Sequence, residues 1–91
     1  MTLTSADLTI ELPGVTSKKG RRAILRSLTE RLGRLNCSVL DTSGEYPKEA
    51  RLALAFLSPS ESDALKKIET IERTLERLFP ELTWELLYET A

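Results

Sequence analysis

Hydrophobic periodicity changes along this chain in an order that few folds can satisfy. Asp7-Leu8-Thr9-Ile10-Glu11-Leu12 alternates polar and apolar residues, the period of a half-buried strand. Pro13-Gly14 breaks it, and Ile24, Leu25, Leu28, Leu32 and Leu35 then recur at helical spacing. Ser17 is placed to cap that helix, and Gly33 and Asn36 weaken and end it. Gly20, inside its first turn, implies a bend or a late start. Cys37 to Leu40 reads as a second strand, followed by the polar turn Asp41 to Pro47. Arg51 to Leu57 reads as a third strand, apolar on both faces and so central in a sheet. Ser58-Pro59-Ser60-Glu61 predicts a second helix capped by Ser58, with Pro59 at its first position and Glu61 closing a capping box. Its apolar stripe is Ala64, Leu65, Ile68, Ile71, Leu75, Leu78 and Phe79, and Pro80 stops it. Leu82, Trp84, Leu86 and Tyr88 form the core side of a fourth strand.

Two helices with one apolar stripe each must lie on a sheet, and four strands supply it. The order β-α-β-β-α-β predicts an α+β, ferredoxin-like plait, with a four-stranded antiparallel sheet and both helices on one face. Right-handed crossovers place the first and third strands in the centre. The chain has 91 residues, the size of a single domain spanning 1–91. It has no apolar run long enough to span a bilayer and no signal-peptide pattern, which predicts a cytoplasmic protein without a membrane partner. One cysteine, Cys37, and no histidine exclude, within one chain, a disulfide, a structural zinc site and a Cys–His nucleophile pair. No catalytic or metal-binding residue and no cofactor is predicted. Gly14 and Gly20 lack the spacing of a phosphate loop.

Charge is divided between the halves of the chain. From Lys18 to Arg34 there are seven Lys or Arg and one acid, Glu30. Residues 1–40 carry seven bases against three acids, net +4, and residues 41–91 carry six against eleven, net −5. Such asymmetry implies a polyanion-binding patch or complementary self-association. Lys18, Lys19, Arg22 and Arg26 fall on one sector of the helix at about 100° per residue, away from the apolar stripe. These four and Arg34 are the candidate phosphate-binding residues. The plainer reading, a solvated helix face, would more often mix signs, as Glu69 and Arg73 do on the second helix.

The sheet face away from the helices is the second candidate surface. An RNA-recognition motif would carry aromatics on strands one and three, but here they offer Thr9, Glu11, Ala53 and Ala55. Ala53, Ala55, Leu57 and Leu87 instead make a partly apolar face suited to a second copy of the chain. Trp84 and Tyr88 are expected in the core.

Leu12-Pro13-Gly14, Ser17-Lys18, Arg21-Arg22 and Leu25-Arg26-Ser27-Leu28 resemble the opening of the YlxP-like family, small uncharacterised bacterial domains of the DUF503 type. The resemblance continues through Arg31-Leu32, Asn36-Cys37-Ser38-Val39 and Ala50 to Ser58. It implies a ferredoxin-like fold. Because genes of the family often lie beside translation and ribosome-maturation genes, it also implies a ribosome-associated role. No catalytic residues are established for the family, so none carry over. The chain departs from it in a shorter segment before strand three and in lacking a Leu before Lys18. The leading expectation is thus a non-enzymatic protein that binds RNA or a ribosomal subunit through its first helix. The alternative is a homodimeric regulatory module resembling ACT domains, with a small ligand or protein partner. An acylphosphatase-like enzyme would use an Arg in the loop after strand one, a role in which Arg21 could be imagined, and an Asn on strand three or its neighbour; strand three has no Asn and the turn lacks a phosphate-cradling pattern.

Overall fold

In the computed structural model, which describes all 91 residues, strand β1 (Thr2–Glu11) lies between β3 (Glu49–Ser58) and β4 (Trp84–Thr90). The short β2 (Ser38–Asp41) completes the sheet outside β3. All pairings are antiparallel, in the order β2-β3-β1-β4. Helix α1 (Lys18–Arg34) joins β1 to β2 and packs beside β2, while α2 (Glu61–Leu78) joins β3 to β4 and packs over β1, β3 and β4. This is the ferredoxin-like plait that the periodicities predict.

Alternation decides which side of each strand meets the helices. Thr4, Ala6, Leu8 and Ile10 of β1 are buried, as are Ala50, Leu52, Leu54, Phe56 and Ser58 of β3. Leu8 sits opposite Leu52 on one side and Leu86 on the other, so one apolar row crosses three strands. Leu25, Leu28 and Leu32 of α1 and Ala64, Ile68, Ile71 and Leu75 of α2 close over it in one core. Leu28 and Leu32 are fully buried, each stabilising the fold by about 1.5–3 kcal/mol relative to exposure.

Helix ends follow local chemistry. The Ser17 hydroxyl accepts from the Gly20 N–H at 3.0 Å, capping α1. Gly20 does not delay the helix, which starts at Lys18; a Cβ there would lie 3.2 Å from Ser17 Oγ. At the other end Asn36 takes the left-handed conformation, φ 57°. Its N–H bonds to Gly33 O and that of Cys37 to Leu32 O, both at 3.1 Å. These paired bonds form a Schellman motif, and Asn tolerates its left-handed position.

Several boundaries differ from the sequence expectations. β1 begins at Thr2, because Thr2 to Ala6 pairs with Leu54 to Ser58 although its own pattern is small and polar. The α2 cap is Ser60, not Ser58: its hydroxyl accepts from the Asp63 N–H at 3.2 Å and donates to the Asp63 carboxylate at 3.0 Å. Ser58 is still paired with Thr2 in the sheet, its hydroxyl buried without a partner like that of Thr4. Ile24, Leu65 and Tyr88 are 39%, 41% and 43% exposed rather than core. β4 is an edge strand, so its helix side is covered on one flank only; Trp84 and Leu86 pack partly against the core and Tyr88 escapes it.

Candidate functional site

The basic helix owes its surface to one inward residue. Arg21 lies four and seven positions before Leu25 and Leu28, so it belongs to their stripe. It is 5% exposed. Its Nη1 donates to Tyr46 O at 2.9 Å and Glu49 O at 3.1 Å, while Nε has no partner. Arg21 therefore fastens the β2–β3 connection to α1 and is not part of the outer face. The charge count alone misses this; the spacing to Leu25, Leu28 and Leu32 carries it.

Lys18, Lys19, Arg22, Arg26 and Arg34 are all exposed on α1, as is Arg31 further round the helix. Of these, only Lys18 forms an ion pair, with Glu45 of the β2–β3 connection. The Lys18 hydrogen bond and charge hold the Glu45 carboxyl below its ordinary range. Arg22 and Arg26 line a groove of about 250 Å³ between α1 and β2, with Leu25, Thr29, Asp41 and Leu52. Partial burial pushes the Asp41 carboxyl up, but hydrogen bonds from Ser43 and the charges of Arg21 and Arg22 outweigh it and hold it low. Two carboxylates thus temper the Lys18–Arg22 end, and Lys19, Arg26, Arg31 and Arg34 remain unpaired.

The first turn of α1 contains no acid, whereas α2 begins with Glu61 and Asp63. The positive end of a helix dipole disfavours lysine and favours anions. Lys18 and Lys19 thus add to a positive potential instead of relieving it. Arg31 and Arg34 in the last turn suit the opposite end of the dipole.

On the other side of the sheet Ala53 and Ala55 are half-buried, and Leu57 and Leu87 are 57% and 60% exposed. The structure adds Leu3 and Leu40, 50% and 66% exposed, to that face. Leu3 precedes the residues expected in strand one, and the face of Leu40 is decided by its pairing with Ala53. No aromatic side chain lies on this face. Elsewhere, burial pushes the Cys37 thiol up despite a backbone hydrogen bond from Ala55 and the charge of Lys67. No cluster of His, Cys, Asp and Glu is placed to hold a metal ion, and neither helix is long and apolar enough to cross a membrane.

Fold and surface define a small ferredoxin-like domain with one cationic helix and one bare sheet face. A family described as a protein of unknown function, DUF503, matches residues 3–85, and the chain belongs to that family. No curated protein matches it. Among solved structures, a de novo designed protein with a ferredoxin fold aligns over 100% of this chain and 88% of its own, with TM-score 0.65 and 18% identity. The de novo designed protein Foldit4 aligns over 99% and 97%, with TM-score 0.60 and 12% identity. A dimeric ferredoxin-like protein from an uncultured marine organism aligns over 100% and 92%, with TM-score 0.57 and 17% identity. At these identities the likeness is one of fold.

Proposed function

We propose that the chain is a non-enzymatic, cytoplasmic accessory protein that binds the phosphate backbone of RNA, on a ribosomal subunit or its precursor, through the outer side of α1. The observation that carries this reading is the row of exposed bases on α1, five of which form no ion pair, on a helix whose first turn has no acid. Lys19, Arg22, Arg26 and Arg34 are the primary contacts, and Lys18 joins them when a phosphate displaces Glu45. Binding of this kind releases counterions and weakens steeply with salt. The ribosomal setting rests on what the family resemblance implies.

Replacing Lys18, Lys19, Arg22 and Arg26 together by Glu abolishes salt-sensitive retention of labelled RNA in a filter-binding assay while the circular dichroism spectrum is unchanged. Co-sedimentation with ribosomal subunits is lost in parallel. Absence of RNA retention by the wild-type chain at low salt sinks the reading.

The exposed leucines of the sheet favour a second reading, a regulatory module of the ACT type. It requires a dimer by light scattering and a melting temperature raised by an amino-acid ligand; a flat thermal-shift screen counts against it.

A further inference from the structure

We infer that the open sheet face binds a second copy of this chain, as a twofold face-to-face dimer that pairs Arg51 of each copy with Asp7 of the other. The inference does not rest on RNA binding by α1, which lies beyond the sheet on the helix layer.

The pairing register arranges the open face in rows. Leu57 lies opposite Leu3. The next rows are Ser38–Ala55–Ser5–Glu89, Leu40–Ala53–Asp7–Leu87 and Arg51–Thr9–Glu85. Exposed leucines stand at the borders, and Ala53 and Ala55 floor a hollow of about 350 Å³ with Ser5, Ser38 and Leu40 on its rim. The surface therefore has both raised apolar groups and a recess to receive them.

A twofold axis between the two sheets and parallel to the strands sets β3 over the partner's β1, and β2 over the partner's β4. Each row then meets its own reverse, as an isologous interface requires. Leu40 faces the partner's Leu87, and Leu57 faces the partner's Leu3. Asp7 faces the partner's Ala53, two residues along the strand from the partner's Arg51. That offset is roughly 7 Å, within reach of an arginine. Arg51 is the one base among the face's side chains in these rows, and Asp7 is the acid at their centre. Within its own chain the Arg51 Nε donates to Glu49 at 2.9 Å, which leaves further guanidinium donors for a partner. An axis perpendicular to the strands would set Asp7 against Asp7 and Leu57 against the Glu49 end of the sheet.

Charge narrows the occupant, and area sets how strongly it binds. Asp7, Glu11, Glu85 and Glu89 on this face repel a polyanion, and no aromatic is present to stack a base. Three strands about 4.8 Å apart, over the seven residues that β4 shares with β1, together with the four residues of β2, present roughly 400 Å² of plane per copy before corrugation. Two copies together bury roughly 800 Å² of plane, below the ~1,200 Å² of standard interfaces, which makes the dimer weak and dependent on concentration. Glu85 and Glu89 on the edge strand fall at the rim, as does the end row, where Glu11 faces the partner's Glu49 and the Arg51 bonded to that Glu49 offsets the like charges.

Size-exclusion chromatography with light scattering tests this, at concentrations up to about 200 µM, suited to a small interface. The expected mass is twice 10.2 kDa. Leu57→Arg and Leu87→Arg, both at exposed positions, each return the single-chain mass with unchanged circular dichroism. Asp7→Arg and Arg51→Asp each raise the dimer dissociation constant at least about tenfold, and the double variant restores it. A wild-type chain that stays monomeric overturns the inference, whether the face is bare or serves another protein. So does a dimer untouched by Leu57→Arg, and so does a double variant that fails to restore the mass.

Discussion

Arg21 carries a charge that folding takes out of water, and two main-chain carbonyls receive it. A buried guanidinium costs less where its donors are used; here Nη1 is used twice and Nε is left without a partner. Replacing Arg21 by Met keeps the apolar stem but leaves the Tyr46 and Glu49 carbonyls without their donor. Urea titration is expected to show a loss of about 1–3 kcal/mol. RNA retention, where α1 provides it, is expected to persist once the variant is folded, because Arg21 contributes nothing to the outer face. The residue was legible in its spacing to Leu25, Leu28 and Leu32, and obscured by its charge, which groups it with Arg22. Asp41 belongs to the same locality. Its folded-state pKa lies below the unfolded value of about 3.9, so its contribution is present above that pH and is lost as pH falls through the folded value. Wild type is expected to exceed Asp41→Asn in stability at neutral pH by well under ~1 kcal/mol, as befits an exposed group. The gap closes as pH drops below about 4, and denaturant midpoints across pH measure it.

At the scale of elements, all six strands and helices were legible in the sequence, and their ends were less so. Ser58 and Ser60 flank Pro59, and each fits the local signature of a helix cap. The choice is made elsewhere in the chain: Ser58 stays in register with Thr2, so the helix can begin only after it. Expected outcomes therefore differ for two similar changes. Ser60→Ala removes the bond to the Asp63 N–H and costs about 1 kcal/mol. Ser58→Ala removes a buried hydroxyl that bonds to nothing and is neutral or stabilising. Thermal melts of the two variants separate the assignments. The start of β1 is hidden in the sequence for the same reason. Thr2 to Ala6 has little alternation of its own and is a strand by virtue of its partner. Tyr88 failed as a core residue because periodicity gives its side of the sheet but not its distance from the flank of a helix.

For the whole molecule, topology followed from periodicity and handedness, and so did the existence of two outward surfaces. The cationic residues of the first surface were legible as a run in sequence. The apolar extent of the second was not, since Leu3 and Leu40 join Leu57 and Leu87 only through pairings between distant segments. A single-stranded RNA held by four phosphate contacts should give a slope near −3 for log K against log salt. Removing one of Lys19, Arg26 or Arg34 should reduce the steepness by roughly 0.7, as fluorescence anisotropy across a salt series would record. The placement of bases on α1 and acids along β1 and β4 has one more consequence. A chain of net charge −1 is here an electric dipole, whose poles lie in different layers. It should cling to a cation-exchange resin in dilute neutral buffer, helix side down, where its net charge predicts that it would flow through.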